Sequence, residues 1–446
     1  MWIPLLFTCW SAARRFGLPA AAPDEVAAAA ARGRHGPRVD RMSPTPDTPF
    51  WVRALVAAIV VMMAGTLLAG AVVVGVSTDS SLVSEAAQGQ QQETRPEGAG
   101  PVATGDPEFD AAVADIATFV EQERGLVFQE PVTVEVLDDE AFNARLFAAV
   151  GKDAEQTTKQ AQALQALGFV DAVTQIEEGQ RALLEAGVLG FYDPETDELV
   201  VRGGELSPMT RQTIAHELTH ALDDQWFDLD NPKYEETDDE VGFGLTALAE
   251  GNAKRIDEAY ADELSDADRE TLEREQQAIP PVPASVPLVL LSLIRAPYDE
   301  GTPLVESLLR HGNQRRLDSA FREPPTTSEQ VLDPKKYLAA EGAVAVDTPP
   351  ADGPVLDQGM FGDLMLRLLM GSALGSGRVQ RAAEGWAGDR YVVWQQGEDY
   401  CLRVDIATDT EKDGTELDNA LADTAAALPN AQVEQAGDRV RFTTCN

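Results

Sequence analysis

Apolar residues recur along the chain in three patterns, and each predicts a different kind of segment. From Ala54 to Val76 the run ALVAAIVVMMAGTLLAGAVVVGV holds 23 residues without a charge, long enough to cross a bilayer as a helix. Residues 77–106 are rich in Gly, Gln, Ser and Glu with almost no large apolar side chain, and read as a flexible linker. From Pro107 the pattern is that of a folded protein. FDAAVADIATFVEQERG spaces its apolar positions as a helix does, PVTVEVL alternates like a strand, and DDEAFNARLFAAV opens another helix with acids in its first turn. A long polar helix to about Ala186 leads into VLGFYDPETDELVVRGG, two short strands around a turn. The sequence holds no internal repeat and no Gly-rich phosphate loop.

The next helix starts cleanly, with Ser207 as cap and Pro208 in the first helical position. Taking Ile214 as the origin, Leu218, Ala221 and Leu222 fall within about 80° of it and form a core stripe. His216, Glu217, His220 and Asp224 fall between about 200° and 300°, on a separate polar face. This stretch spells HELTH at 216–220 and uses two of the four histidines in the chain. Histidines at i and i+4 project side by side, so both imidazoles can reach one ion. A glutamate directly after the first points to the open coordination position. There it can take a proton from a metal-bound water whose pKa has fallen to roughly 7. The plainer reading is a solvated acidic helix face.

A catalytic zinc site takes three protein ligands. The HExxHxxGxxH version is excluded, because Asp223 and Trp226 stand at its Gly and third His positions. His311, in the polar stretch LLRHGNQRR, is one candidate for the third ligand. Glu250 is the better one: it interrupts the apolar run TALAEGNA of a helix from about Val241, and its small neighbours at 251 and 253 let two helices approach closely.

HELTHALDDQ followed by ALAEGNA resembles the gluzincins, the thermolysin-like zinc metallopeptidases with two histidines and a downstream glutamate. The chain is more closely similar to a group of bacterial exported or membrane-anchored proteins of that type. GFYDPETDELVVR, APYDEG at 296–301, PPTTSEQVLDPKKYL at 324–338 and EGWAGDRYVVW at 384–394 extend the likeness over about 107–395. The resemblance implies one Zn2+ per chain on His216, His220 and Glu250, with Glu217 as general base. It also implies that ELVVR (198–202) lies beside the cleft, where an extended peptide could pair with it.

The chain departs from that pattern at several positions. Asp223 replaces an expected Gln, Asn252 replaces an acid two residues after Glu250, and Lys254 stands where thermolysin-like enzymes place an Asp. Asp333-Pro334-Lys335-Lys336-Tyr337 replaces an expected HPEKY. The carboxylate that supports the histidines is therefore not carried over, and Asp224, one turn beyond His220, is the substitute on the same face. Tyr298, Tyr337, Arg390 and Tyr391 are the candidates for stabilising an oxyanion.

Charge and topology narrow the function class. Of 35 basic and 75 acidic residues, 7 Arg and 4 acids lie in residues 1–53, so the remainder carries 28 − 71 = −43. A field of that sign repels phosphate backbones and argues against nucleic acid as a partner. Arg41 and Arg53 precede the apolar run and STDSS follows it, which puts the N-terminus in the cytoplasm and the rest outside. Ala69-Gly70-Ala71 resembles a signal-peptidase site, so the alternative is a secreted protein, and Met42 is an alternative start. Cys401 and Cys445 lie in strand-like runs on the oxidising side and are expected to pair; Cys9 lies on the reducing side.

The sequence thus reads as an α+β protein with a zincin-like catalytic lobe built on an active-site helix and a small edge sheet. Its divisions are a tail (1–53), an anchor or signal (54–76), a linker (77–106), the catalytic lobe (107–264), a helical lobe (265–375) and a strand-rich C-terminal subdomain (376–446). The expected function is that of a membrane-anchored, extracytoplasmic zinc metallopeptidase acting on peptides or proteins. The alternative is an inactive cell-surface binding or scaffolding protein on the same fold. A purely structural zinc site is disfavoured, because three ligands are visible and structural sites close with four.

Overall fold

The computed structural model describes residues 94–150, 154–203, 205–234 and 240–446. The expected tail, the anchor or signal at 54–76 and most of the linker lie outside them. Among the described residues no helix is long and apolar enough to cross a membrane.

The first part of the chain runs β1 (Gly100–Val102), α1 (Pro107–Arg124), β2 (Pro131–Leu137), α2 (Asp139–Val150), α3 (Ala154–Ala166), α4 (Thr174–Gly187), β3 (Gly190–Asp193), β4 (Glu198–Arg202) and α5 (Pro208–Phe227). Its four strands form one sheet in the order β1-β2-β4-β3. β1, β2 and β4 are parallel, and β3 runs antiparallel to β4.

Three features differ from the sequence reading, the first being that the long polar helix expected to about Ala186 is two helices, α3 and α4. Gly100–Val102, read as linker, is a strand beside Pro131–Thr133, with the Gly100 N–H donating to Glu130 O at 2.8 Å. It is held by backbone pairing, which leaves no apolar periodicity to read. β4, expected to offer its edge to a peptide, is flanked by β2 on one side and β3 on the other, so its ladder groups are occupied. β3 is the edge strand on that side.

Local chemistry explains where the helices begin. Asp106 caps α1 by accepting the N–H groups of Glu108 and Phe109, and α1 ends at Gly125 with φ 71. Ser207 caps α5 by accepting the Thr210 N–H, with Pro208 next. Phe109, Val113, Ile116 and Val120 of α1 pack with Val132, Val134, Leu199 and Val201 of the sheet and with Ile214, Leu218 and Leu222 of α5. The predicted apolar stripe of α5 therefore faces this core.

Next come α6 (Val241–Asp262), α7 (Asp266–Ala278), α8 (Leu288–Arg322), α9 (Ser328–Leu332) and α10 (Pro334–Leu338). α6 and α8 cross backbone to backbone. A Cβ added at Gly251 would lie 2.2 Å from the Gly301 carbonyl carbon, and one at Gly301 would lie 2.0 Å from Ala247 O. Main-chain atoms cannot swing aside, so only glycine fits. Gly251→Ala or Gly301→Ala is expected to cost about 1–3 kcal/mol through overpacking, read as a lowered Tm. Gly342→Ala is the neutral control, since nothing lies within 4 Å of a Cβ there.

The chain ends with β5 (Val355–Gly359), α11 (Gly362–Gly371), α12 (Ser376–Ala383), β6 (Trp386–Gln396), β7 (Asp399–Thr408), α13 (Glu411–Ala427), β8 (Gln432–Ala436) and β9 (Arg439–Cys445). These strands form an antiparallel sheet in the order β5-β6-β7-β9-β8. Cys401 and Cys445 stand directly opposite each other on β7 and β9 and are joined by a disulfide. The architecture is α+β: a mixed sheet with helices, a helical region, and an antiparallel C-terminal sheet.

Candidate metal centre

α5 is buried on both sides. Its apolar stripe enters the core just described, and its polar face meets α6. His216 and Glu250 are 0% and 3% exposed, so the groups that meet there have left water. His216, His220 and Glu250 each aim one ligand atom at a common point, and those atoms lie within 4.8 Å of one another. His216 Nε2 is 3.1 Å from His220 Nε2 and 3.2 Å from Glu250 Oε2. His220 Nε2 is 3.3 Å from the same carboxylate oxygen.

The far side of His216 fixes its tautomer. Asp257 Oδ2 is 2.7 Å from Nδ1 and accepts its proton, while Gln212 donates to Asp257 Oδ1 at 2.9 Å. Nε2 of the neutral ring then presents a lone pair toward the lone pairs of His220 and Glu250. Such a cluster needs a cation at its centre, either a proton or a metal ion. The charge balance agrees. Burial opposes a charge on His216, yet the bonds to Asp257 and Glu250 raise the imidazole to about 10. Burial likewise opposes charge on Glu250, but His220 and then His216 bring its carboxyl down to about 2. The donor set, two imidazoles and a carboxylate, is the nitrogen and oxygen chemistry that suits zinc.

Glu217 sits beside this cluster without belonging to it. Its Oε2 accepts the Tyr192 N–H of β3 at 3.0 Å. Burial pushes its carboxyl above the usual range although His216 and His220 pull the other way. Tyr298 of α8 approaches from the opposite helix, its ring stacked 6.3 Å from that of His216 at 26°. Its hydroxyl is buried toward Glu250 and stays a phenol because burial and then the charge and hydrogen bonding of Glu250 raise its pKa.

The remaining sequence candidates are engaged elsewhere. Asp224 accepts the Leu229 N–H at 2.9 Å and lies 3.0 Å from the Tyr192 hydroxyl, so the carboxylate on the histidine is Asp257 instead. Tyr337 donates to Glu323 O at 2.8 Å, and Tyr391 donates to Asp357 Oδ2 at 2.6 Å. Arg390 lies next to Tyr391 on β6, and His311 donates from Nδ1 to Ser307 O at 2.7 Å. Asp257 was missed although a signal existed. It lies seven residues after Glu250, two turns on and on the same stripe of α6. The position four residues on, Lys254, turns outward to Glu258.

The departures at 223 and 252 answer each other. Asn252 donates to Asp223 Oδ2 at 2.7 Å, so the two residues meet across α5 and α6. Arg124, 0% exposed, donates to Asp223 Oδ1 at 2.5 Å and to Asp318 at 2.8 Å.

Comparison with known proteins adds little chemistry. A family model described as Domain of unknown function (DUF8575) matches residues 353–444, the segment of the antiparallel sheet. No curated protein matches the chain. The chain is similar to a solved structure from Chloroflexus aurantiacus described as "a putative hydrolase with a novel fold", at 15% identity and a TM-score of 0.34, over 54% of this chain and 92% of that one. A likeness at that level carries no argument about fold or activity. The functional reading stands on the site.

Proposed function

We propose that this protein is a zinc-dependent peptidase with a zincin-like catalytic lobe. One observation carries the reading. Three lone-pair donors, His216, His220 and Glu250, converge in a buried site, with Asp257 on the far nitrogen of His216 and the Glu217 carboxyl, held by the Tyr192 N–H, alongside. His216, His220 and Glu250 would hold the ion. When bound, zinc supplies Lewis acidity to a water and to a substrate carbonyl. Glu217, with its pKa raised, takes the proton of the attacking water and passes it to the departing amine. The Tyr298 hydroxyl supplies a donor for the oxyanion. An extended peptide would pair with the edge strand β3, not with β4.

The cell-surface setting belongs to the same proposal: an anchor at 54–76 with the described residues outside the cytoplasm, where the Cys401–Cys445 disulfide persists. The scaffold reading draws its support from positions 252 and 333; Asn252 is engaged by Asp223 at 2.7 Å, and Asp333 caps α10 by accepting the Lys335 N–H, so neither position stands idle.

Elemental analysis of the purified protein is expected to find about one zinc per chain, lost in His216→Ala, His220→Ala and Glu250→Ala. Full zinc occupancy in Glu250→Ala would move the third ligand elsewhere and end this assignment.

A further inference from the structure

The general base in this reading is held by an unusual partner, a main-chain N–H of the edge strand. β3 passes directly over α5. A Cβ at Gly190 would stand 3.0 Å from Thr213 Cγ2 and 3.7 Å from Glu217 Cγ, so strand and helix are in contact at the base itself. Two residues on, the Tyr192 N–H donates to Glu217 Oε2 at 3.0 Å. The Tyr192 ring, 4% exposed, leaves the strand and returns to the same helix. Its hydroxyl lies 3.0 Å from Asp224 Oδ2 and 3.1 Å from Asp197 Oδ1.

One hydroxyl proton cannot serve two carboxylates. Burial lifts Asp224 to about 7 even though the Leu229 amide and Tyr192 pull it down. With Asp224 ionised the Tyr192 hydroxyl donates to it, and with Asp224 protonated the carboxyl donates to the Tyr192 oxygen, which donates on to Asp197. In either state Tyr192 stays bonded to Asp224, and Asp224 keeps its bond from the Leu229 N–H at 2.9 Å. Strand and helix are thus joined twice, once through the Tyr192 backbone at Glu217 and once through its side chain two turns further along α5.

We propose that Tyr192 is a positioning residue for the base: its hydroxyl, anchored on Asp224 and Asp197, fixes the strand whose N–H orients the Glu217 carboxyl. The proposal rests on the peptidase reading for the role of Glu217, while the clamp itself is a statement about this fold. Rotation of a carboxyl is otherwise soft, and a base must sit within hydrogen-bond reach of the proton it takes.

The test uses the full chain with Tyr192→Phe, Asp224→Ala, Asp224→Asn and the double variant Tyr192→Phe/Asp224→Ala. Misplacing the base is expected to lower kcat by about 10–100-fold in Tyr192→Phe and Asp224→Ala. KM and zinc content should stay within about twofold, because the base acts in the transition state. The double variant should be no worse than either single one, since both changes cut one connection. Asp224→Asn, whose side chain keeps a hydrogen-bond partner for the Tyr192 hydroxyl, should recover most of what Asp224→Ala loses. Unchanged kcat in Tyr192→Phe, or a loss carried by KM, overturns the proposal.

Amide-resolved hydrogen exchange reads the clamp without a substrate. The Tyr192 N–H should exchange slowly in the wild type, and at least about tenfold faster in Glu217→Ala and in Tyr192→Phe. Unchanged exchange in those variants overturns the clamp. A wild type that cleaves no peptide but shows the exchange pattern overturns the peptidase reading and leaves the clamp standing.

Discussion

Glu217→Gln is expected to lower peptide cleavage by about 10²–10⁴-fold, the usual loss when a general base is removed, while zinc content and Tm hold. Glutamine has the same shape and keeps a carbonyl oxygen for the Tyr192 N–H, which now reaches Glu217 at 3.0 Å. The fold tolerates a neutral group at this place, because burial already raises the glutamate pKa and disfavours its charge. Glutamine cannot accept the water proton or return it to the amine. The measurement is turnover of an unfolded protein or a peptide library by wild type and variant, with zinc content determined on the same samples and a chelator control. Retention of wild-type activity by a zinc-loaded Glu217→Gln protein would sink the mechanism. A Glu217→Gln protein that loses zinc would show instead that Glu217 is a ligand, whereas the convergent ligand atoms are those of His216, His220 and Glu250.

Much of the centre was legible because helices impose a short-range geometry. The i, i+4 histidines of α5 had to share a face whatever the fold, and the same periodicity separated them from the apolar stripe. Glu250 was legible through a weaker sign, an acid inside an apolar run flanked by glycine and alanine. Its physical cause is the α6–α8 crossing at Gly251 and Gly301. The partners that lie across space were not legible. Asp257 is two turns from Glu250, and nothing in a linear reading says that it meets His216 rather than solvent. Asp224 was placed on the correct face of α5, but it is the approach of Tyr192 from β3 that decides its use. The β1 strand, three residues held by main-chain bonds, carries no side-chain pattern at all. Tyr298, Tyr337 and Tyr391 were equivalent in sequence. Only the packing of α8 against α6 separates the first, stacked on His216, from the others.

The same limit applies to the positions that looked like defects. Asp223 follows His220 by three residues and Asn252 follows Glu250 by two, so their 2.7 Å bond ties together the two helices that present the ligands. Arg124, which lies over Phe227 and Phe321 at 5.3 and 5.4 Å, completes the link from α1. Asp223→Asn would leave a fully buried guanidinium with Asp318 as its remaining carboxylate, and breaking a buried pair from one side typically costs about 3–5 kcal/mol. Asn252→Asp alone would set two carboxylates against each other in the same enclosed space. It should also destabilise, though less, because Arg255 lies 3.2 Å from the Asn252 side-chain oxygen. The double exchange, Asp223→Asn with Asn252→Asp, restores one amide and one carboxylate and keeps the net charge of the cluster. It is expected to recover at least about 1.5 kcal/mol relative to the sum of the single changes, within the range found for residues sharing a network. The cycle is read by urea unfolding of metal-free protein, so that zinc affinity does not enter the stability. Zinc titrations of the four proteins should rank in the same order, because the bond sets the spacing of the helices that carry His220 and Glu250. Strict additivity in the unfolding cycle would mean that the two residues act independently. The pairing of amide and carboxylate would then be incidental, and not what keeps this centre together.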